Sequence, residues 1–130
     1  MVDIAYPQVI IENSIQGIQW SYQYLNNKNE FVKWINEKIR KSSNNQLKVI
    51  LYEFKIKFEY DQEEYRNSIS SIQQLFKQFP DKKNDEHLQV MLANNYVWLK
   101  RYNSADSIYV NLVLKNNDPG TFYEWGHIKW

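Results

Sequence analysis

The sequence predicts an all-α protein, and three observations carry that expectation. Only 3 Gly and 3 Pro occur in 130 residues, which is low for a chain of many hairpins and loops. Apolar residues recur at steps of three and four in successive segments, the period of one helical face. Short clusters of Asn, Asp, Ser and Lys separate those segments, as turns do. The length is that of one domain. With 43% hydrophobic against 24% charged residues, the chain has enough apolar surface for a core and is not disordered throughout.

Taken in order, residues 1–7 read as a loose arm. Pro7 suits a first helical position, because its missing N–H has no partner there. Ile11, Ile15, Ile18, Tyr22 and Leu25 form one stripe, so a helix is expected over Val9 to Leu25, with Val9-Ile10-Ile11 leaving an extended start open. Asn26 to Asn29 is a turn. The second helix, 29–42, places Phe31, Trp34, Ile35 and Ile39 on one face. Lys33, Glu37, Lys38 and Lys41 lie on the other, with Glu37 and Lys41 at the favourable four-residue spacing. A third helix, 46–60, carries Leu47, Ile50, Leu51, Phe54 and Phe58. Its β-branched, partly alternating residues make a strand the competing expectation, and the three-and-four spacing without Gly or Pro favours the helix. Asp61-Gln62 turns the chain into a fourth helix, 63–79, with Tyr65, Ile69, Ile72, Leu75, Phe76 and Phe79 inward and Pro80 after it. Residues 81–84 form a polar loop. Asp85 is expected to cap a fifth helix, 86–101, and Ser104 a sixth, 105–116, since a side-chain oxygen there accepts an orphan backbone N–H.

The last of these pairs carries a motif. Leu92-Ala93 precedes Tyr96, and Ala105, Tyr109 and then Asp118-Pro119 follow. This resembles the tetratricopeptide repeat, a helix–turn–helix unit of about 34 residues. The preceding pair fits through Tyr65, Ser68, Ile72 and Pro80. Aligning Ser68 with Ala105 gives a period of 37, the excess falling in Asp81 to Asn84. One period further back, Trp34 falls where a small residue should close-pack. The tail TFYEWGHIKW resembles the opening of another repeat, with Gly126 in the place of Ala93. The resemblance implies a short right-handed α-solenoid of about three antiparallel helix hairpins, about 8–42, 46–80 and 85–117, with a closing helix at about 120–130. Ala93 and Ala105 are its close-packing pair.

In such repeats the first helix of each pair lines a concave groove that holds a peptide or folded partner. The resemblance therefore implies Gln16, Gln19 and Gln23 on that face, then Glu53, Lys57 and Tyr60, then His87, Val90, Asn94 and Trp98, and last Tyr123, His127 and Trp130. Asn94 sits where the family commonly grips a ligand main chain. The clamp by which some relatives hold the C-terminal carboxylate of chaperones needs lysine where this chain has Gln and Glu, so that role is disfavoured. The expected function is a non-catalytic protein–protein interaction module. An immunity or antitoxin protein that occludes a toxin's active site is the alternative, its acidic turn from Glu59 to Glu64 meeting a basic partner.

Composition disfavours other classes. The net charge is +1 and there is no cysteine, so no global field attracts DNA and no thiolate or cysteine metal site exists. Lys33, Lys38, Arg40, Lys41 and Lys48 surround Trp34, as RNA binding would want, but Glu30 and Glu37 interleave, so an RNA-binding helical repeat stands only as the second alternative. His87 and His127 are forty residues apart with no second ligand at helical spacing. Ser68, Ser70 and Ser71 have no histidine near them in sequence. No enzyme, cofactor or metal is expected. The N-terminus is not a signal peptide and no stretch can insert in a membrane, so a cytoplasmic protein is expected unless a leader has been removed. Phe122, Trp125 and Trp130 on the closing helix make it a candidate terminal cap or homo-oligomer contact.

Overall fold

A computed structural model describes residues 8–116, which form six α-helices and one 3-10 turn with no strand among the described residues. They are α1 (Gln8–Tyr24), α2 (Lys28–Lys41), α3 (Asn45–Asp61), α4 (Tyr65–Gln78), the 3-10 turn Pro80–Asn84, α5 (Glu86–Trp98) and α6 (Tyr102–Asn116). Both extended alternatives, at residues 9–11 and across 46–60, are helix. The arm at 1–7 with Pro7, the residues Asp118-Pro119 and the closing helix at about 120–130 lie outside the described residues.

The helix pairs recur at a fixed spacing. First helices end at Tyr24, Asp61 and Trp98, and second helices start at Lys28, Tyr65 and Tyr102, each 37 residues after the last (24 to 61 to 98; 28 to 65 to 102). The turns between them share one geometry. Asn26, Glu63 and Lys100 each adopt a positive φ, of 57°, 62° and 63°. Each donates its N–H three residues back, to the carbonyls of Gln23, Tyr60 and Val97. The next residue donates five back, from Asn27 to Tyr22, Glu64 to Glu59 and Arg101 to Tyr96. That is the Schellman closure, which satisfies the last carbonyls of a helix and reverses the chain.

This closure moves two expected boundaries. α5 stops at Trp98 rather than at 101, and α6 starts at Tyr102. Ser104 therefore lies inside the first turn of α6 and does not cap it. Asp85 does cap α5, its Oδ1 accepting the Leu88 N–H at 3.2 Å, and Asn44 caps α3 in the same way through Leu47 at 3.0 Å. Residues 81–84, expected as a polar loop, wind together with Pro80 into the 3-10 turn, and Pro80 suits its first position.

The described residues fall into two compact units, divided within α3 between Lys57 and Phe58. In the first, α1 packs on α2. Its core is Ile15, Phe31, Ile35, Ile39, Ile50, Leu51, Tyr52 and Ile56. In the second, α4 packs on α5 and α5 on α6. Phe58, Ile72, Leu75, Leu88, Leu92, Ala93, Ala105, Tyr109 and Leu112 are among its buried residues.

The 37-residue spacing relates buried positions in successive helices. Stepping back from Ala105 to Ser68 leads to Phe31, not Trp34. All three are buried, at 1%, 0% and 0% exposure, whereas Trp34 is half-buried. Ala93, Ala105 and Tyr109 form one buried cluster between α5 and α6, with Val90, Tyr96, Val97 and Ile108 packed against it. Ala105→Phe is thus expected to destabilise by about 1–3 kcal/mol through overpacking. An unchanged unfolding midpoint in urea would contradict that packing.

Candidate partner-binding site

The residues expected to face a partner divide between the two units. In the first, Gln16 of α1 and Glu53 and Lys57 of α3 line one open cleft of about 310 Å³, together with Glu12, Asn13, Ile50 and Phe54. Gln23 is half-buried near the end of α1. Gln19 must be corrected. It is 8% exposed, one turn beyond buried Ile15, and so shares the inward face of α1 rather than a surface open to a partner.

In the second unit Tyr60 and Trp98 meet. The Trp98 indole N–H donates to the Tyr60 hydroxyl at 3.0 Å. Tyr65, the first residue of α4, completes the group. Its ring lies parallel to Trp98, with centroids 5.7 Å apart and 6° between planes, and edge-on to Tyr60 at 5.6 Å. Trp98 nonetheless remains 59% exposed. An aromatic held by a stack and a hydrogen bond has little rotamer freedom left to lose on binding, which is the property of an interface anchor. Burial pushes the Tyr65 hydroxyl above its ordinary pKa, with Glu63 and then Tyr60 adding to the shift, so it stays protonated at neutral pH.

The other α5 positions are less free. Val90 packs against the Ala93–Ala105–Tyr109 cluster. The side-chain carbonyl oxygen of half-buried Asn94 accepts a hydrogen bond from the Tyr109 hydroxyl. His87 is exposed at the start of α5. Tyr123, His127 and Trp130 lie outside the described residues.

Half-buried Tyr65 was missed as a member of this group because it fits the apolar stripe of α4. Its signal was available: Tyr60 and Tyr65 flank a turn, and the turn at Trp98 lies one 37-residue period further on.

The hydroxyls considered as nucleophiles serve packing. Ser71 Oγ donates to Glu59 Oε1 at 2.6 Å, and both are buried. Ser68 Oγ accepts from Asn95 Nδ2 at 3.0 Å, and Asn95 also donates to the Met91 carbonyl. Ser70 is exposed. Among the described residues no group of three His, Cys, Asp or Glu side chains stands where it could hold a metal ion. In the basic stretch, Lys33 pairs with Glu30 at 3.6 Å and Lys41 with Glu37 at 3.3 Å, while Trp34 stacks on Phe31. No described helix is long and apolar enough to cross a membrane. Compared with family models, curated proteins and solved structures, the chain matches none.

Proposed function

We propose that the chain is a non-catalytic protein-binding module of tetratricopeptide-like helix pairs, and that its second unit takes a peptide or a folded partner on the face of α5 that carries His87, Asn94 and Trp98. The observation that carries this reading is Trp98, a large aromatic held out at 59% exposure by Tyr60 and Tyr65. A tryptophan fixed in orientation by these contacts, yet 59% exposed, keeps most of its area open to a partner. As an anchor it offers a flat apolar face at low entropic cost. His87, Asn94 and Trp98 share one side of α5 at helical spacing, so a chain lying along the helix would meet all three. Two further observations support the repeat character: the 37-residue recurrence of helix pairs, and the burial of the small residues Ser68 and Ala105 at matching positions.

The test is selection of a random peptide display library on the intact protein. The expected result is convergence on related sequences whose binding weakens roughly 30-fold or more in Trp98→Ala, the loss of about 2 kcal/mol that marks an anchor residue. The far-UV circular dichroism of the variant should be unchanged, because the side chain is mostly solvent-exposed. No convergence, or equal binding to Trp98→Ala, rejects the reading.

A further inference from the structure

The first unit holds a larger cleft, of about 660 Å³, walled by α1, α2, the α2–α3 connection and the start of α3. Its lining has three parts. Ile15 and Ile18 of α1, Trp34 of α2, and Leu47 and Ile50 of α3 supply most of an apolar floor. Lys38 and Lys41 also line it, and with Trp34 they step by four and three residues along one face of α2. Amides and hydroxyls of the α2–α3 connection, such as Ser42 and Asn44, complete the edge. Among the described residues no carboxylate lines the cleft. Lys41 shares its charge with Glu37, but Lys38 forms no ion pair among the described residues.

We propose that this cleft binds a free single-chain amphipathic carboxylate, a fatty-acid-like anion, with its hydrocarbon over the isoleucines and Trp34 and its head group at Lys38. The lining selects the chemistry. Two lysines without a carboxylate repel a cationic ligand, and an apolar floor gives a wholly polar ligand nothing to pair with. The volume falls within the ~300–1,000 Å³ of small-molecule sites. A ten-residue helical peptide, about 10–12 Å across and ~15 Å long, exceeds it. Trp34, which reads from the sequence as a core residue beneath a solvated basic face, is then the side chain that joins the apolar floor to the cationic edge. This inference does not depend on the role proposed for Trp98.

The experiment titrates the full chain calorimetrically with monomeric dodecanoate, and separately with dodecylammonium, which has the same hydrocarbon and the opposite charge. One saturable dodecanoate per chain is expected, with dodecylammonium roughly tenfold weaker or worse. Lys38→Glu, at an exposed position, should keep its circular dichroism and lose about tenfold in dodecanoate affinity. The proposal is overturned by an absence of saturable binding, by several molecules per chain without head-group preference, or by equal affinity in wild type and Lys38→Glu. It is also overturned if the protein sediments with phosphatidylglycerol vesicles while ignoring monomeric dodecanoate, since the basic edge is then a membrane-surface contact.

Discussion

Replacing Tyr109 with alanine is expected to destabilise the protein by about 3–5 kcal/mol, the range for deleting a buried aromatic ring. Tyr109 is 1% exposed and lies in one cluster with Ala93 and Ala105. Those two neighbours are why the effect should be large. A methyl side chain cannot swing into the space a missing phenol leaves, so the cavity persists unless the two helices themselves move. Tyr109→Phe separates the ring from its hydroxyl. It removes the hydrogen bond to the Asn94 carbonyl oxygen and should cost only about 0.5–1.5 kcal/mol. Urea unfolding followed by circular dichroism checks both, provided the slope with denaturant stays constant. A Tyr109→Ala midpoint close to wild type would mean that the ring does not join α5 to α6. The pair of variants also bears on function. Tyr109→Phe frees the Asn94 oxygen without opening a cavity, so a change in peptide binding there would place Asn94 in the binding face.

Much of this architecture was legible because it rests on apolar periodicity. Ile15, Ile35, Ile50, Ile72 and Leu92 each lie on a stripe spaced by three and four, and each is buried. The helix ends were harder to read for a physical reason. A Schellman turn is usually recognised by the glycine that takes its positive φ. Here Asn26, Glu63 and Lys100 take it, and only the asparagine is at all at ease in that region. Without a glycine after Trp98, the fifth helix reads as three residues too long, and Ser104 looks like a cap. The candidate site was legible in part. Trp98 and Tyr60 lie on the helical face expected to meet a partner, and they touch. Gln19 was misplaced because an amide on a half-polar helix carries no mark of its direction, and the neighbouring Ile15 decides it. The cleft at Trp34 was not legible at all. A tryptophan among lysines reads as a core ring under a solvated face, and only the approach of α1 and α3 turns that face into a wall.

The register offers its sharpest test at Phe31. Repeat logic with a period near 34 residues puts a small side chain at Trp34 and attaches no special meaning to Phe31. The observed 37-residue recurrence makes Phe31 the counterpart of Ser68 and Ala105. If those positions were interchangeable, Phe31→Ala would bring the first pair into line with the third and leave stability unchanged or raise it. The geometry predicts the opposite. Phe31 is 0% exposed, stacks on Trp34 at 6.1 Å and 22°, and meets Tyr22 of α1 at a tilt, with centroids 6.3 Å apart. The first pair is therefore spaced around a ring where the third is spaced around a methyl group. Truncation should cost about 3–5 kcal/mol, since neither Tyr22 nor Trp34 can fill the gap without giving up its own packing. The same substitution removes the ring on which Trp34 rests, so dodecanoate binding should weaken along with stability. Loss of stability with unaltered dodecanoate affinity would separate the core of the first unit from its cleft. A neutral or stabilising Phe31→Ala would show that the first pair tolerates the small-residue packing of the third.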